Sequence, residues 1–167
     1  LMNGMDGGFI EPGPSGYITR GRYDIMPTGR NFYSMDPYSV PTRSAWNVGV
    51  KMADSTIQKY IDDMGSIPES IGFFWTMGEL IATGGELMSE LFYLIGVKPV
   101  WRSDGRVMDF EIMSLEELGR PRIDVTINVS CILRDNMLNA IDLMDRAISS
   151  VATLDEPDDM NFVRKHT

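Results

Sequence analysis

The sequence predicts an α/β fold: three layers, with helices flanking a mostly parallel sheet, forming part of a larger multidomain architecture. Three observations carry this. Residues 123–130 alternate strictly between apolar (Ile123, Val125, Ile127, Val129) and small polar (Asp124, Thr126, Asn128, Ser130) side chains, the period of two that marks a β-strand. Ile71 to Trp75 is a short unbroken apolar run, as expected of a strand buried on both faces of a parallel sheet. Each run leads into a segment of helical periodicity, and strand–helix–strand alternation implies right-handed crossovers.

Residues 1–41 form a loop-rich first segment. Glu11–Gly16 (EPGPSG) and Met26–Asn31 (MPTGRN) are dense in Pro and Gly, which fix φ or permit positive φ and so mark turns. A long irregular segment in a compact domain covers or binds something. Its polar residues Glu11, Arg20, Arg22, Thr28, Arg30 and Asn31 are therefore either plain surface or a ligand-facing loop.

The α/β domain is expected over residues 42–167. Thr42 supplies an N-cap, and Trp46, Val50, Ala53, Ile57, Tyr60 and Met64 recur as one apolar stripe, predicting a helix whose Trp46 and Tyr60 pack in the core. Gly65 suits the left-handed position that ends it. After the strand Ile71–Trp75, a second helix is expected from Glu79 to Ile95, with Leu80, Leu87, Leu91 and Ile95 inward and Gly96 as its stop. Val97–Trp101 reads as the next strand, Ser103–Gly105 as a turn, and Arg106–Met113 as another extended piece. Ser114 with Glu117 three residues later fits a capping box. Met137, Ile141, Met144, Ile148 and Val151 define a third helical stripe. The methionines fall mostly on such stripes and read as core filler rather than metal ligands.

Composition narrows the function classes. A net charge of −9 argues against a nucleic-acid backbone as partner, and suits a metal ion or a cationic partner surface. No apolar run approaches the roughly 20 residues of a membrane span. A single cysteine allows neither an internal disulfide nor a zinc knuckle and suits a reducing, cytoplasmic setting. The opening LMNGMDGG has neither the basic start nor the apolar stretch of a signal peptide. A chain that begins at Leu1 and stops just after Arg164, Lys165 and His166 is expected to be a piece of a longer protein. The phosphate-binding loop, the dinucleotide fingerprint, HExxH and GxSxG do not occur.

Two strand-to-helix junctions, Thr76–Glu79 and Ser130–Asp135, should open on one edge of the sheet, where α/β folds place ligands. There Cys131 is expected as a small buried residue rather than a nucleophile. Arg134 and Asp135 are either a local ion pair or an anion contact. The acids of Leu154–Asp159 (LDEPDD) read as a solvated loop, since a metal site requires oxygen ligands that converge in space. His166, the one histidine, is an exposed helix residue or a base.

In order and spacing, EPGPSG, MPTGRNFY, GVKPVW, SLEELGRPRIDV, RD and LDEPDDMNFVRKH resemble the large subunit of ATP-dependent tetrapyrrole metal chelatases, the subunit shared by cobaltochelatase (CobN type) and magnesium chelatase (BchH/ChlH type). The resemblance runs from about Gly8 to His166, and that subunit is much longer than this chain. It implies a chain that binds the tetrapyrrole and the divalent metal substrate, cobalt or alternatively magnesium, while separate AAA+ subunits hydrolyse ATP. Insertion requires groups that take the two pyrrole N–H protons and hand over a partly desolvated metal. Carried over residue by residue, Glu11 and His166 are the catalytic candidates, and Glu11, His166 and Glu79 the metal candidates. Arg30, Asn31, Ser130, Arg134, Asp135, Asn161 and Arg164 are the substrate-binding candidates, the arginines facing tetrapyrrole carboxylates. GVKPVW, with Trp101, leans toward the cobalt branch. The sequence departs from the family at Trp75–Glu86 (WTMGELIATGGE), where the family commonly has Gly-Thr and an acid after the Trp; Glu79 would be that acid, shifted by one position. A non-catalytic tetrapyrrole-binding module of the same fold is the alternative that this departure keeps open.

Overall fold

The computed structural model describes residues 2–13, 23–27, 29 and 35–167. The chain divides into two compact units, Leu1–Asp36 and Pro37–Thr167. In the first, a single helical turn α1 (Met2–Met5) is followed by irregular chain over residues 6–13, and a 3-10 turn lies at Tyr23–Ile25. The Asn3 side chain donates to the Phe9 carbonyl and closes the turn.

The second unit starts with a 3-10 turn, Pro37–Ser39, and continues into α2 (Arg43–Met64). Both predicted ends of α2 are present: Thr42 Oγ1 accepts from the Ala45 amide at 3.1 Å, and Gly65 adopts φ 76°. Its buried face is Ala45, Gly49, Ala53 and Ile57, rotated from the expected stripe. Trp46 is half-buried edge-on to Tyr93, and Tyr60 and Met64 are exposed. Small residues face inward because α2 lies close against the helix that forms the centre of the core.

That central helix is α4 (Glu86–Ile95), apolar nearly all round, the pattern of a helix surrounded by protein. Met88, Leu91, Phe92, Leu94 and Ile95 are wholly enclosed. The single helix expected from Glu79 to Ile95 is two: α3 (Met77–Thr83) and α4 are separated by Gly84 and Gly85, both left-handed at φ 72° and 92°. A right-handed helix cannot pass through two such residues.

Strands β1 (Ser70–Trp75) and β4 (Asp124–Val129) pair in parallel, with Ser70 opposite Asp124 and Trp75 opposite Val129. Between them lie α3, α4, strands β2 (Val97–Trp101) and β3 (Val107–Ile112), and one helical turn, α5 (Leu115–Leu118). The Ser114–Glu117 cap is present at 3.1 Å. After β4 come α6 (Cys131–Asn136), α7 (Leu138–Ala152) and α8 (Phe162–Lys165).

The α/β class is therefore as predicted, a parallel pair with flanking helices, with two local differences. Strands β2 and β3 form an antiparallel hairpin of their own, because a five-residue connection is far too short for a parallel crossover. Strand β1 is not covered on both faces: its residues alternate between exposed and half-buried up to Trp75.

Candidate functional site

The two strand-to-helix junctions do open on one edge. At the carboxyl end of the parallel pair the Ser130 amide donates to the Trp75 carbonyl at 3.0 Å, holding the two chain exits side by side. Each exit residue caps the helix it begins. Thr76 Oγ1 accepts from the Glu79 amide at 3.2 Å, and Ser130 Oγ from the Leu133 amide at 3.4 Å. The Ser130 hydroxyl is thus part of the turn, leaving Arg134 and Asp135 as the groups that reach solvent. Their ion pair, Nε to Oδ1 at 3.0 Å, is about two-thirds exposed on both sides (65% and 62%). Exposed pairs of this kind hold together by only about 0–1 kcal/mol, so Arg134 can exchange its partner for an arriving carboxylate at little cost.

Glu79 faces a different task. Its Oε1 accepts from Thr83 Oγ1 at 2.8 Å and from the Leu87 amide at 3.2 Å, tying the break between α3 and α4. Behind it, Glu90 is buried on α4 and accepts from Thr56 Oγ1 at 2.9 Å. Burial pushes its carboxyl pKa up, against the lowering effect of the Thr56 hydrogen bond.

His166 lies at the other end of the sheet. Its Nδ1 is 2.9 Å from Asp124 Oδ2, its Nε2 is 3.5 Å from Glu69 Oε2, and its ring stacks on Phe162. Asp124 is held in turn by the Val125 amide, and Lys165 Nζ reaches Glu69 at 2.6 Å. The Lys165 hydrogen bond is the main reason that the Glu69 carboxyl lies below its ordinary range. Asp124 and Ser70 begin the two strands, so this cluster sits at the amino edge. At about 3.3 Å per residue, the six-residue strands hold it roughly 16 Å from Glu79 and Arg134. Glu79 and His166, both named as metal candidates, thus stand at opposite edges of the sheet, and no group of three or more His, Cys, Asp or Glu among the described residues is arranged to hold a metal ion.

Two further candidates are engaged by neighbouring parts of the chain. Asn161 is wholly buried: its Nδ2 donates to the Val151 carbonyl and to Glu156, and its Oδ1 caps α8 through the Arg164 amide. With its side-chain polar atoms engaged and no exposed surface, it positions α8. The Arg164 guanidinium donates to the carbonyls of Leu154 and Glu156 and lies 3.4 Å from Asp155, holding the preceding loop. Glu11 is exposed in the first unit. Arg30 and Asn31, with Arg20, Arg22 and Thr28, lie outside the described residues. Cys131, expected to be buried, is exposed at the start of α6, because its neighbours Ile132 and Arg134 also face outward and only Leu133 turns inward.

The residue that sequence reasoning missed is Arg122. Its side chain is 1% exposed, and all five of its N–H groups are satisfied: Nε and Nη2 by the two oxygens of Glu156 (2.8 and 2.9 Å), the others by the carbonyls of Ile95, Gly96 and Met113. The acidic loop is therefore not simply solvated: Glu156 is the anion that neutralises this buried cation. Trp101 is likewise structural, its indole N–H donating to the Pro41 carbonyl at 2.8 Å.

The profile of the family CobN/Magnesium Chelatase matches residues 1–167. The chain belongs to that family. It is 45% identical over 164 residues to an aerobic cobaltochelatase subunit CobN of Sinorhizobium sp, covering 98% of this chain and 13% of that protein. It is 42% identical over 167 residues to a chloroplastic magnesium-chelatase subunit ChlH of rice (Oryza sativa subsp. japonica), covering 99% of this chain and 12% of that one. Among solved structures it is similar to the catalytic subunit of cobaltochelatase from Mycobacterium tuberculosis, with a TM-score of 0.88 and 44% identity over 99% of this chain and 14% of that one. The chain thus spans only about an eighth of the curated relatives it matches. Among the described residues no helix is long and apolar enough to cross a membrane.

Proposed function

We propose that this chain is part of the tetrapyrrole- and metal-binding large subunit of an ATP-dependent chelatase that inserts cobalt into a corrinoid precursor, with AAA+ partner subunits supplying ATP hydrolysis. The observation that carries the reading is the carboxyl edge of the parallel pair: Arg134 stands exposed there in a pair that yields easily to a ligand carboxylate, in a chain of chelatase ancestry. Magnesium insertion into protoporphyrin IX is the second reading, favoured by 42% identity to the rice magnesium-chelatase subunit. The resemblance of GVKPVW, with Trp101, is what leans the first reading toward cobalt.

In this reading Arg134 holds a peripheral carboxylate of the macrocycle, and Ser130 and Asp135 shape the turn beside it; Arg30 and Asn31 are proposed as further substrate contacts on the resemblance alone. As the metal enters, two pyrrole N–H protons leave. Glu11 and His166 are the proposed acceptors. His166 is suited to this because Asp124 engages Nδ1 and fixes the ring, the arrangement that orients a catalytic imidazole. Glu79, whose Oε1 accepts from Thr83 and from the Leu87 amide, braces the break between α3 and α4.

The test uses the full-length subunit. A corrinoid precursor or a porphyrin should shift the Soret band on binding, and AAA+ partners with ATP should then drive metal insertion. Arg134→Ala should weaken macrocycle binding about tenfold, the loss of one charge-assisted hydrogen bond. His166→Ala should slow insertion by about 10²-fold or more. If no tetrapyrrole perturbs its own spectrum on addition, the reading fails; unchanged insertion in both Glu11→Gln and His166→Ala removes the residue roles alone.

A further inference from the structure

We infer that the face of the β1–β4 pair bearing Gly72, Phe74, Thr126 and Asn128 is the seat of another segment of the same large subunit, one that lies outside these 167 residues. All four are exposed, and register makes them neighbours: Gly72 is opposite Thr126, and Phe74 is opposite Asn128. Phe74 is 61% exposed, as is Ile132 on α6, and Leu138 at the start of α7 is 65% exposed. A Cβ built on Gly72 would meet nothing within 4 Å.

Parallel sheets occur with both faces covered, because crossovers place helices there and the strands are too apolar to face water. Two parallel strands without a second layer bury too little to persist. The opposite face of this pair, with Trp75 and Val125, is turned toward the core; among the described residues, this one carries the His166–Asp124 contact at its amino end. The missing cover is not short of source material, since the chain spans 12–14% of its relatives.

Chemistry decides between a protein segment and the macrocycle as occupant. Between Asp124 and the strand ends the face is uncharged, and the ionised groups nearest its amino end include the carboxylates of Asp124 and Glu69, already paired with His166 and Lys165. The four face residues themselves offer a tetrapyrrole carboxylate no cation, and Arg134 lies beyond them on α6. An apolar helix stripe suits it well: Gly72 and Thr126 are small and permit close approach, and Phe74 is the knob such a stripe would enclose.

The test is cysteine alkylation of the full-length subunit in a background where Cys131 and other native cysteines are Ser. Phe74→Cys and Thr126→Cys are compared with Glu116→Cys, exposed on α5. Both face positions should react at least tenfold more slowly than Glu116→Cys with no tetrapyrrole present, and all three should converge in denaturant. Equal rates in the native subunit overturn the inference, as does protection that appears only when a tetrapyrrole is added, which would make the macrocycle the occupant. The outcome is independent of metal insertion, so failure of the functional reading leaves it standing. Thr126→Cys keeps the test decisive if loss of the Phe74 ring prevents folding.

Discussion

Removing the Glu156 carboxylate should loosen one corner of the fold out of proportion to its position in an acidic surface loop. Glu156→Ala leaves Arg122 charged, 1% exposed and without the anion that takes two of its five N–H groups. Breaking a fully buried pair from one side costs about 3–5 kcal/mol. Glu156 itself is 17% exposed, so water can reach the vacated position, and three carbonyls still hold the guanidinium. The expected loss is therefore about 2–3 kcal/mol, or roughly 30- to 150-fold in a local opening equilibrium, at about 1.4 kcal/mol per decade. Amide hydrogen exchange on the full-length subunit reads this directly. The Arg122 amide, which donates to the Met160 carbonyl, and that of Phe162, which donates to Arg122, should exchange faster by that factor. Asp159→Ala, an exposed acid in the same loop, is the control and should change nothing beyond about 0.5 kcal/mol. If Glu156→Ala and Asp159→Ala exchange alike, Glu156 is a solvated surface acid after all and the clamp argument is wrong.

Two other perturbations follow from the core. Glu90→Gln keeps an acceptor for Thr56 and removes a carboxylate that burial disfavours. A carboxyl with a folded pKa above its unfolded one incurs no penalty below the unfolded value, and a growing penalty as pH rises through the folded value. The substitution should therefore stabilise on the order of 1 kcal/mol at pH 8 and progressively less toward acid. Thermal unfolding followed by tryptophan fluorescence at pH 5 and pH 8 checks the sign; equal gains at both would refute it. Gly49→Ala should destabilise by about 1–2 kcal/mol by the same assay. Its new Cβ would lie 2.6 Å from the Glu86 carbonyl oxygen and 2.7 Å from the Glu90 nitrogen, and overpacking against the backbone of α4 outweighs the roughly 1 kcal/mol gain in helix propensity.

What could be read in the sequence is what local chemistry decides. Thr42, Ser114 and Gly65 sit at the helix ends they announce, because a cap involves residues three or four apart. The alternation of 123–130 marks β4 because period two needs no partner to be seen. The antiparallel hairpin was equally legible in the length of its turn, and the paired Gly84–Gly85 announced a break in the long helix. Arg122 was not legible. Its burial depends on Ile95, Gly96, Met113 and Glu156 arriving together, and nothing within a few residues of it reports that. The same holds for His166, whose edge of the sheet is set by where α8 docks on β4, and for Cys131, whose exposure follows from the phase of a helix only six residues long.

The motifs that carry the family resemblance then take on a physical meaning. GRPRID contributes Arg120, whose guanidinium donates to the carbonyls of Tyr93, Leu94 and Pro121, and Arg122, with its five partners. LDEPDDMN contributes Glu156 and Asn161, which complete the same network. These are the demands of a buried charge, which tolerates few substitutions because an unmatched partner costs several kcal/mol. They specify the scaffold and are indifferent to the metal. The groups that can meet a ligand lie elsewhere, at the carboxyl edge, where Arg134 stands exposed. Because Thr76 and Glu79 act there as cap and brace, a shift of one residue changes how α3 leaves the sheet, and with it the shape of the edge that Arg134 borders.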